Sequence, residues 1–244
     1  MDSNLTIITG HFGVGKTNLS LNIAERLVAA AVPLPPNAPP WRLTLIDLDI
    51  INPYFRSSDS SELLAEKGIR LLGPVHARST LDTPSLTPGI DDAIRSASDS
   101  QPLLIDVGGD PDGARALARF SAAIRSMPHQ LLYVANFNRP GTACPDLALE
   151  LLRGIEAQSG LAVTGIIGNS HLKQLTDLDI LAASIPKLRS LAELAELPVV
   201  AISAPEALAA AFTAKLAGLW PSTPPAVLPL KQLVGTPWEV VARS

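Results

Sequence analysis

The sequence predicts an α/β domain with a mostly parallel central sheet and helices on both faces. Three observations lead there. Apolar runs of strand length alternate with helix-compatible segments along most of the chain, the order that gives parallel strands with right-handed crossovers. Residues 42–49 and 102–107 are nearly continuous in apolar residues before ending in acid, as strands covered on both faces are. The first run, Leu5–Thr9, passes straight into a glycine-rich loop and then a helix-compatible segment. With 244 residues, 47% hydrophobic and 17% charged, the chain has ample material for a core. No composition shift or internal repeat marks a boundary. One domain over residues 1–220 and an irregular tail over 221–244 are the expectation.

The loop Gly10-His11-Phe12-Gly13-Val14-Gly15-Lys16-Thr17 fits G-x-x-x-x-G-K-[ST] at every fixed position. A phosphate chain needs several backbone N–H groups aimed at one point, so the backbone must come close and side chains must stay away. The following helix adds its positive N-terminal end. Lys16 can reach the β- and γ-phosphates, and the Thr17 hydroxyl can ligate Mg²⁺, which takes few protein ligands. The strand before and the helix after supply the context the motif requires, so a single-domain P-loop NTPase fold is expected. A glycine-rich turn with an incidental lysine is the alternative.

The remaining elements follow in order. The first helix is expected over residues 16–31. Five prolines within residues 32–40 exclude helix and inner strand, leaving a surface loop or a proline-rich ligand. After the strand at 42–49, residues 51–56 break regular structure, and 57–67 read as a short helix stopped by Gly68. A weaker strand at 69–73 precedes a loop over 74–89. Helices are expected at 89–98, 112–127, 145–158, 176–196 and 205–219, and strands at 102–107, 131–136, 161–169 and 197–202.

Composition excludes several classes. A net charge of −4 argues against a nonspecific nucleic-acid or anionic-membrane surface. The single Cys144 rules out an internal disulfide and a cysteine-pair metal site. No basic n-region opens the chain, no apolar run has membrane-span length, and the tail lacks a basic amphipathic helix. A soluble cytoplasmic protein without membrane or nucleic-acid partners is expected.

Three further clusters fall at strand C-termini, where α/β proteins bind ligands. Asp47 and Asp49 lie two apart, so both can face the metal and γ-phosphate. One would hold a Mg²⁺-bound water and the other orient or deprotonate the attacking water. The plain alternative is a pair of solvated acids. Asp106 ends an apolar strand in the manner of a Walker B aspartate, and Gly109 gives the D-x-x-G form of a phosphate-sensing switch. Asn169 carries an amide that both donates and accepts, matching N6 and N7 of adenine; a turn asparagine is the alternative.

The order G-x-x-G-V-G-K-T, Asp47-Leu48-Asp49, Asp106-Val107-Gly108-Gly109 and Gly168-Asn169-Ser170 resembles the MinD/ParA/CobQ class of deviant-Walker, SIMIBI P-loop ATPases. The likeness spans residues 5–202. The wording Gly-His-Phe-Gly-x-Gly-Lys-Thr with Asp-Leu-Asp-x-x-Asn-Pro-Tyr-Phe-Arg is closer to a functionally uncharacterised subgroup. The resemblance implies that ATP and Mg²⁺ are the cofactors. Gly10 to Asn18 and Asn169 would bind nucleotide. Thr17, Asp47, Asp49 and Asp106 would serve the metal. Lys16 and Asp49 would be catalytic, with switch II at residues 106–110. It also implies an ATP-dependent homodimer that hands work to a partner protein. His11 stands where MinD and ParA carry a second, trans-acting lysine; Arg56 and Arg139 are candidate substitutes. Three functions compete: an ATPase switch, an ATP-dependent small-molecule phosphotransferase or ligase using residues 74–88 (His76, Arg78, Thr80), and a nucleotide-binding module without hydrolysis. The absence of [NT]-K-x-D favours ATP over GTP.

Overall fold

Strand β1 (Leu5–Thr9) runs through the middle of the fold and delivers the chain to the phosphate loop and helix α1 (Lys16–Ala30). The computed structural model describes residues 4–31, 40–49, 58–75, 85–86, 89–109 and 111–234. Next come β2 (Leu43–Leu48), α2 (Ser58–Glu66), β3 (Ile69–Leu72), β4 (Pro74–Val75), β5 (Ser85–Leu86), α3 (Ile90–Arg95) and β6 (Leu103–Val107). The second half holds α4 (Pro111–Ala118), α5 (Ser121–Arg125), β7 (His129–Ala135), α6 (Pro145–Ser159), β8 (Gly165–Gly168), α7 (Leu178–Ala195), β9 (Val199–Pro205), α8 (Glu206–Leu219) and β10 (Ala226–Leu230).

Eight strands form one sheet in the order β10-β9-β8-β7-β1-β6-β2-β3. Every pair in it is parallel. The chain leaves β1 toward β2 and β3, returns to β6, then crosses β1 to β7 and continues outward. The strand order therefore reverses around β1, and the crevice at its C-terminal end is where such sheets bind ligands. The near-continuous apolar runs are explained by cover on both faces. Ile8, Leu45 and Leu104 pack under α1 and α2, while Ile7, Ile46 and Ile105 face the core beneath α3 to α8.

Three expectations change. The segment from residue 221 is not wholly irregular, because β10 pairs in parallel with β9. Pro229 is tolerated there because β10 is an edge strand, and its carbonyl accepts from Arg26 Nη2 at 3.0 Å. The helix expected over 112–127 is two helices, broken where Phe120 turns its ring into the core. Within the loop over 74–89, β4 and β5 pair antiparallel. Most of the proline-rich loop, the segment 51–56 with Arg56, and His76, Arg78, Thr80 and Asp110 lie outside the described residues.

Candidate nucleotide site

The loop after β1 is shaped by glycines that neighbours hold close. Gly15 caps α1 with φ 91°, a left-handed conformation that favours glycine. A β-carbon there would also lie 2.7 Å from both Asn169 Nδ2 and His171 Nε2. At Gly109 a β-carbon would meet Lys16 Nζ at 2.7 Å and Phe12 N closer still. The turn after β6 thus rests its bare backbone directly on the phosphate loop. This is the P-loop NTPase architecture.

The charged half of the site is built by α1, β2 and β6. Lys16 is buried, and its Nζ donates to His11 O at 3.1 Å. Asp106 is buried beside it, register partner of Ile8 on one side and Asp47 on the other. Ser20 Oγ donates to Asp106 Oδ1 at 3.1 Å, and the Thr17 hydroxyl bonds the same carboxylate. Burial pushes the Asp106 carboxyl up to about 6; Lys16, Thr17 and Ser20 oppose that rise and Asp49 adds to it. The Asp49 carboxyl carbon lies against Gly108, 3.6 Å from where a β-carbon there would sit. Asp47 does something else: its Oδ1 accepts the Asp49 N–H at 2.9 Å, closing a local turn of the kind short acids favour. It fixes the path that carries Asp49 to Asp106.

The other half comes from the loops after β7, β8 and β9. Asn169 is buried; its Nδ2 donates to Val14 O at 2.7 Å, and Ser203 Oγ donates to its Oδ1. Each bond uses half of what an amide offers, leaving a second N–H and a second lone pair. His171 Nδ1 accepts from Lys173 N at 3.3 Å, so the neutral ring carries its proton on Nε2, the edge against Gly15. Burial pushes His171 down to about 4, helped by Arg139 and Lys173, while its bond to the Val14 backbone opposes the drop. Arg139 lies over Gly13, its Nε 3.8 Å from a β-carbon placed there.

The structure therefore gathers Lys16, Thr17, Asp49, Asp106 and Asn169 around Gly10–Thr17, with His11 and Phe12 at the outer rim. Asn18, expected to bind nucleotide, directs its amide elsewhere. Its Oδ1 accepts from Leu233 N at 2.8 Å and Val234 N at 3.2 Å, and its Nδ2 donates to Lys231 O at 3.0 Å. Ser20, His171 and Ser203 join the site without a sequence motif that singles them out. Ser20 is the most legible of the three, three residues after Thr17 on the same helix face.

A small hard dication fits these donors. Thr17 and Asp106 place a hydroxyl and a desolvated carboxylate together, and Mg²⁺ binds through few such oxygens plus phosphates and water. Among the described residues no group of three or more His, Cys, Asp or Glu forms a self-sufficient metal cage. No helix among them is long and apolar enough to cross a membrane.

No protein-family profile matches the sequence, and no curated protein is similar to it at a significant level. Solved structures do match. Chloroplast FtsY from Physcomitrella patens superposes with a TM-score of 0.48 at 18% identity, over 81% of this chain and 57% of its own. The signal recognition particle receptor FtsY from Elizabethkingia anophelis, in complex with GDP, gives 0.47 at 14% identity, over 83% and 58%. This chain thus spans less than two thirds of the length of either.

Proposed function

We propose that this chain is a Mg²⁺-dependent ATP-binding protein of the MinD/ParA/CobQ type that hydrolyses ATP and switches the affinity of a partner protein. The observation that carries the reading is the buried Asp106, bonded to Thr17 beside Lys16, under a glycine turn that lies on the phosphate loop. Gly10 to Thr17 cradle the phosphates with backbone N–H groups. Lys16 swings from His11 O to the β- and γ-phosphates, exchanging a neutral acceptor for an anionic one. Thr17 and Asp106 would hold Mg²⁺, with Asp49 and, through its turn, Asp47 alongside; bound there, the ion would neutralise charge on the phosphate oxygens.

Asp49 orients the attacking water and accepts its proton as the water oxygen bonds to the γ-phosphorus. The bond from that phosphorus to the bridging oxygen breaks, and ADP leaves with the electron pair. The remaining N–H and lone pair of Asn169 suit adenine. Gly108 and Gly109 move with the γ-phosphate and carry its presence to the surface. Phe12, 59% exposed, and His11 stand on the face through which an ATP-dependent homodimer would form.

Turnover of wild type beside Lys16→Ala and Asp49→Ala tests hydrolysis, which both changes should abolish. Mass measurement in solution tests the dimer: ATP with Mg²⁺ should double the mass of Asp49→Ala. Wild-type hydrolysis that survives both substitutions would sink the assignment.

A further inference from the structure

The geometry points to a second, small-molecule site beside the phosphate loop, in the cleft between α4 and α6, shaped for a small amphiphilic amine. The cleft encloses about 410 Å³, within the range that buries a small organic ligand. Its walls are mostly apolar, with Leu147, Leu151 and Ile155 from α6, and His11, Gly108 and Gly109 also line it. It therefore opens onto the two loops that close over the phosphates.

Two independent features mark it as a binding site. The first is Gly154, in the interior of the 15-residue α6 and on the cleft wall. Glycine inside a helix costs stability relative to alanine, and close packing is its usual reason. Here a β-carbon would meet nothing within 4 Å. Packing within the chain does not require this glycine; its missing side chain keeps the cleft open. Gly141 is the contrast, since a β-carbon there would lie 2.5 Å from His11 Nε2.

The second feature is a polar pair on the lining, His11 and Glu150. His11 Nδ1 lies 2.8 Å from Phe12 O. A carbonyl only accepts, so the neutral ring has its proton on Nδ1 and a lone pair on Nε2, the edge over Gly141 in the cleft. At the rim, Glu150 offers a carboxylate that makes no ion pair among the described residues. An apolar body with an ammonium for Glu150 and a hydroxyl donor for His11 satisfies both. An occupant touches Gly108 and Gly109, and Gly109 in turn lies against Lys16.

The test is titration of L-phenylalaninol into the full chain, followed by calorimetry and NMR line broadening of the probe. Wild type should bind it saturably with half-saturation in the millimolar range, as expected for a ligand of about 11 heavy atoms. Gly154→Phe puts a bulky side chain into the cleft from a position where the β-carbon itself meets nothing within 4 Å and should weaken binding at least about tenfold. Its ATP affinity should stay within about twofold of wild type, since Gly154 takes no part in the phosphate loop. Glu150→Gln should weaken the amine while leaving the neutral 3-phenylpropan-1-ol unaffected. Absence of saturable binding up to about 10 mM, or equal affinity in wild type and Gly154→Phe, would overturn the site. Neither outcome depends on hydrolysis, so this site can fail while the proposed ATPase stands.

Discussion

Replacing Asp106 by Asn should make the nucleotide-free protein more stable while disabling its site. Burial raises the Asp106 carboxyl from 3.8 to about 6, which corresponds to about 3 kcal/mol against the ionised form. The folded chain holds this proton to higher pH than the unfolded chain does. Folding therefore takes up a proton between pH 3.8 and about 6. The stability associated with this group is full below that window and falls as pH rises through it. An amide is neutral throughout, and its oxygen still accepts from Ser20 and Thr17. The gain of Asp106→Asn over wild type should be about 2 kcal/mol at pH 5 and about 3 kcal/mol at pH 8. For a chain of this size that is a rise in Tm of roughly 6–12 °C. Urea unfolding in the presence of EDTA, at several pH values, measures it. Mg²⁺ with ATP should reverse the order, because ligand stabilises only the variant that binds it. A variant no more stable than wild type at pH 8 without ligand would refute the argument that the site stores a desolvated charge.

His171 should show the opposite pH dependence. Its folded-state value, lowered from 6.5 to about 4, means that folding releases a proton, so stability is lost as pH falls from 6.5 through 4, by up to about 3 kcal/mol. In urea titrations, His171→Gln should therefore gain on wild type on acidification, and a difference that does not change between pH 7 and 4 would contradict this. Gly109→Ala places a methyl group 2.7 Å from Lys16 Nζ and should cost about 1–3 kcal/mol by overpacking, seen as a lower urea midpoint together with slowed turnover. Asn22→Ala removes the side chain that both accepts from Lys231 N at 2.8 Å and donates to Lys231 O at 3.0 Å. Amide hydrogen exchange at Lys231 should accelerate about 5- to 150-fold, for a local loss of about 1–3 kcal/mol.

The strand, glycine loop and helix that open the chain are legible because local pattern carries them. A loop that must bring bare backbone to a phosphate is written in consecutive residues, and an apolar run ending in acid marks its own strand end. What escapes depends on distant pairing. Pro229 interrupts the apolar residues Ala226 to Leu230 and argues against a strand there. β10 exists because β9 offers an edge and because Asn18, Asn22 and Arg26 of α1 reach residues about two hundred positions away. His171 is two residues past Asn169, yet its place against Gly15 follows only from how β8 sits beside β7. Spacing pairs Asp47 with Asp49, but what separates their positions is a single hydrogen bond from the Asp49 N–H to the Asp47 carboxylate.

Gly10 to Thr17 should bind the phosphates of ATP, with Mg²⁺ held at Thr17 and Asp106. Calorimetric titration of ATP and GTP into wild type and Lys16→Ala, with Mg²⁺ and with EDTA, measures this. Wild type should bind ATP saturably and more tightly than GTP, with binding that weakens without Mg²⁺ and disappears in Lys16→Ala. Binding that is unchanged by Lys16→Ala, or no saturable ATP binding to the wild type, would contradict it.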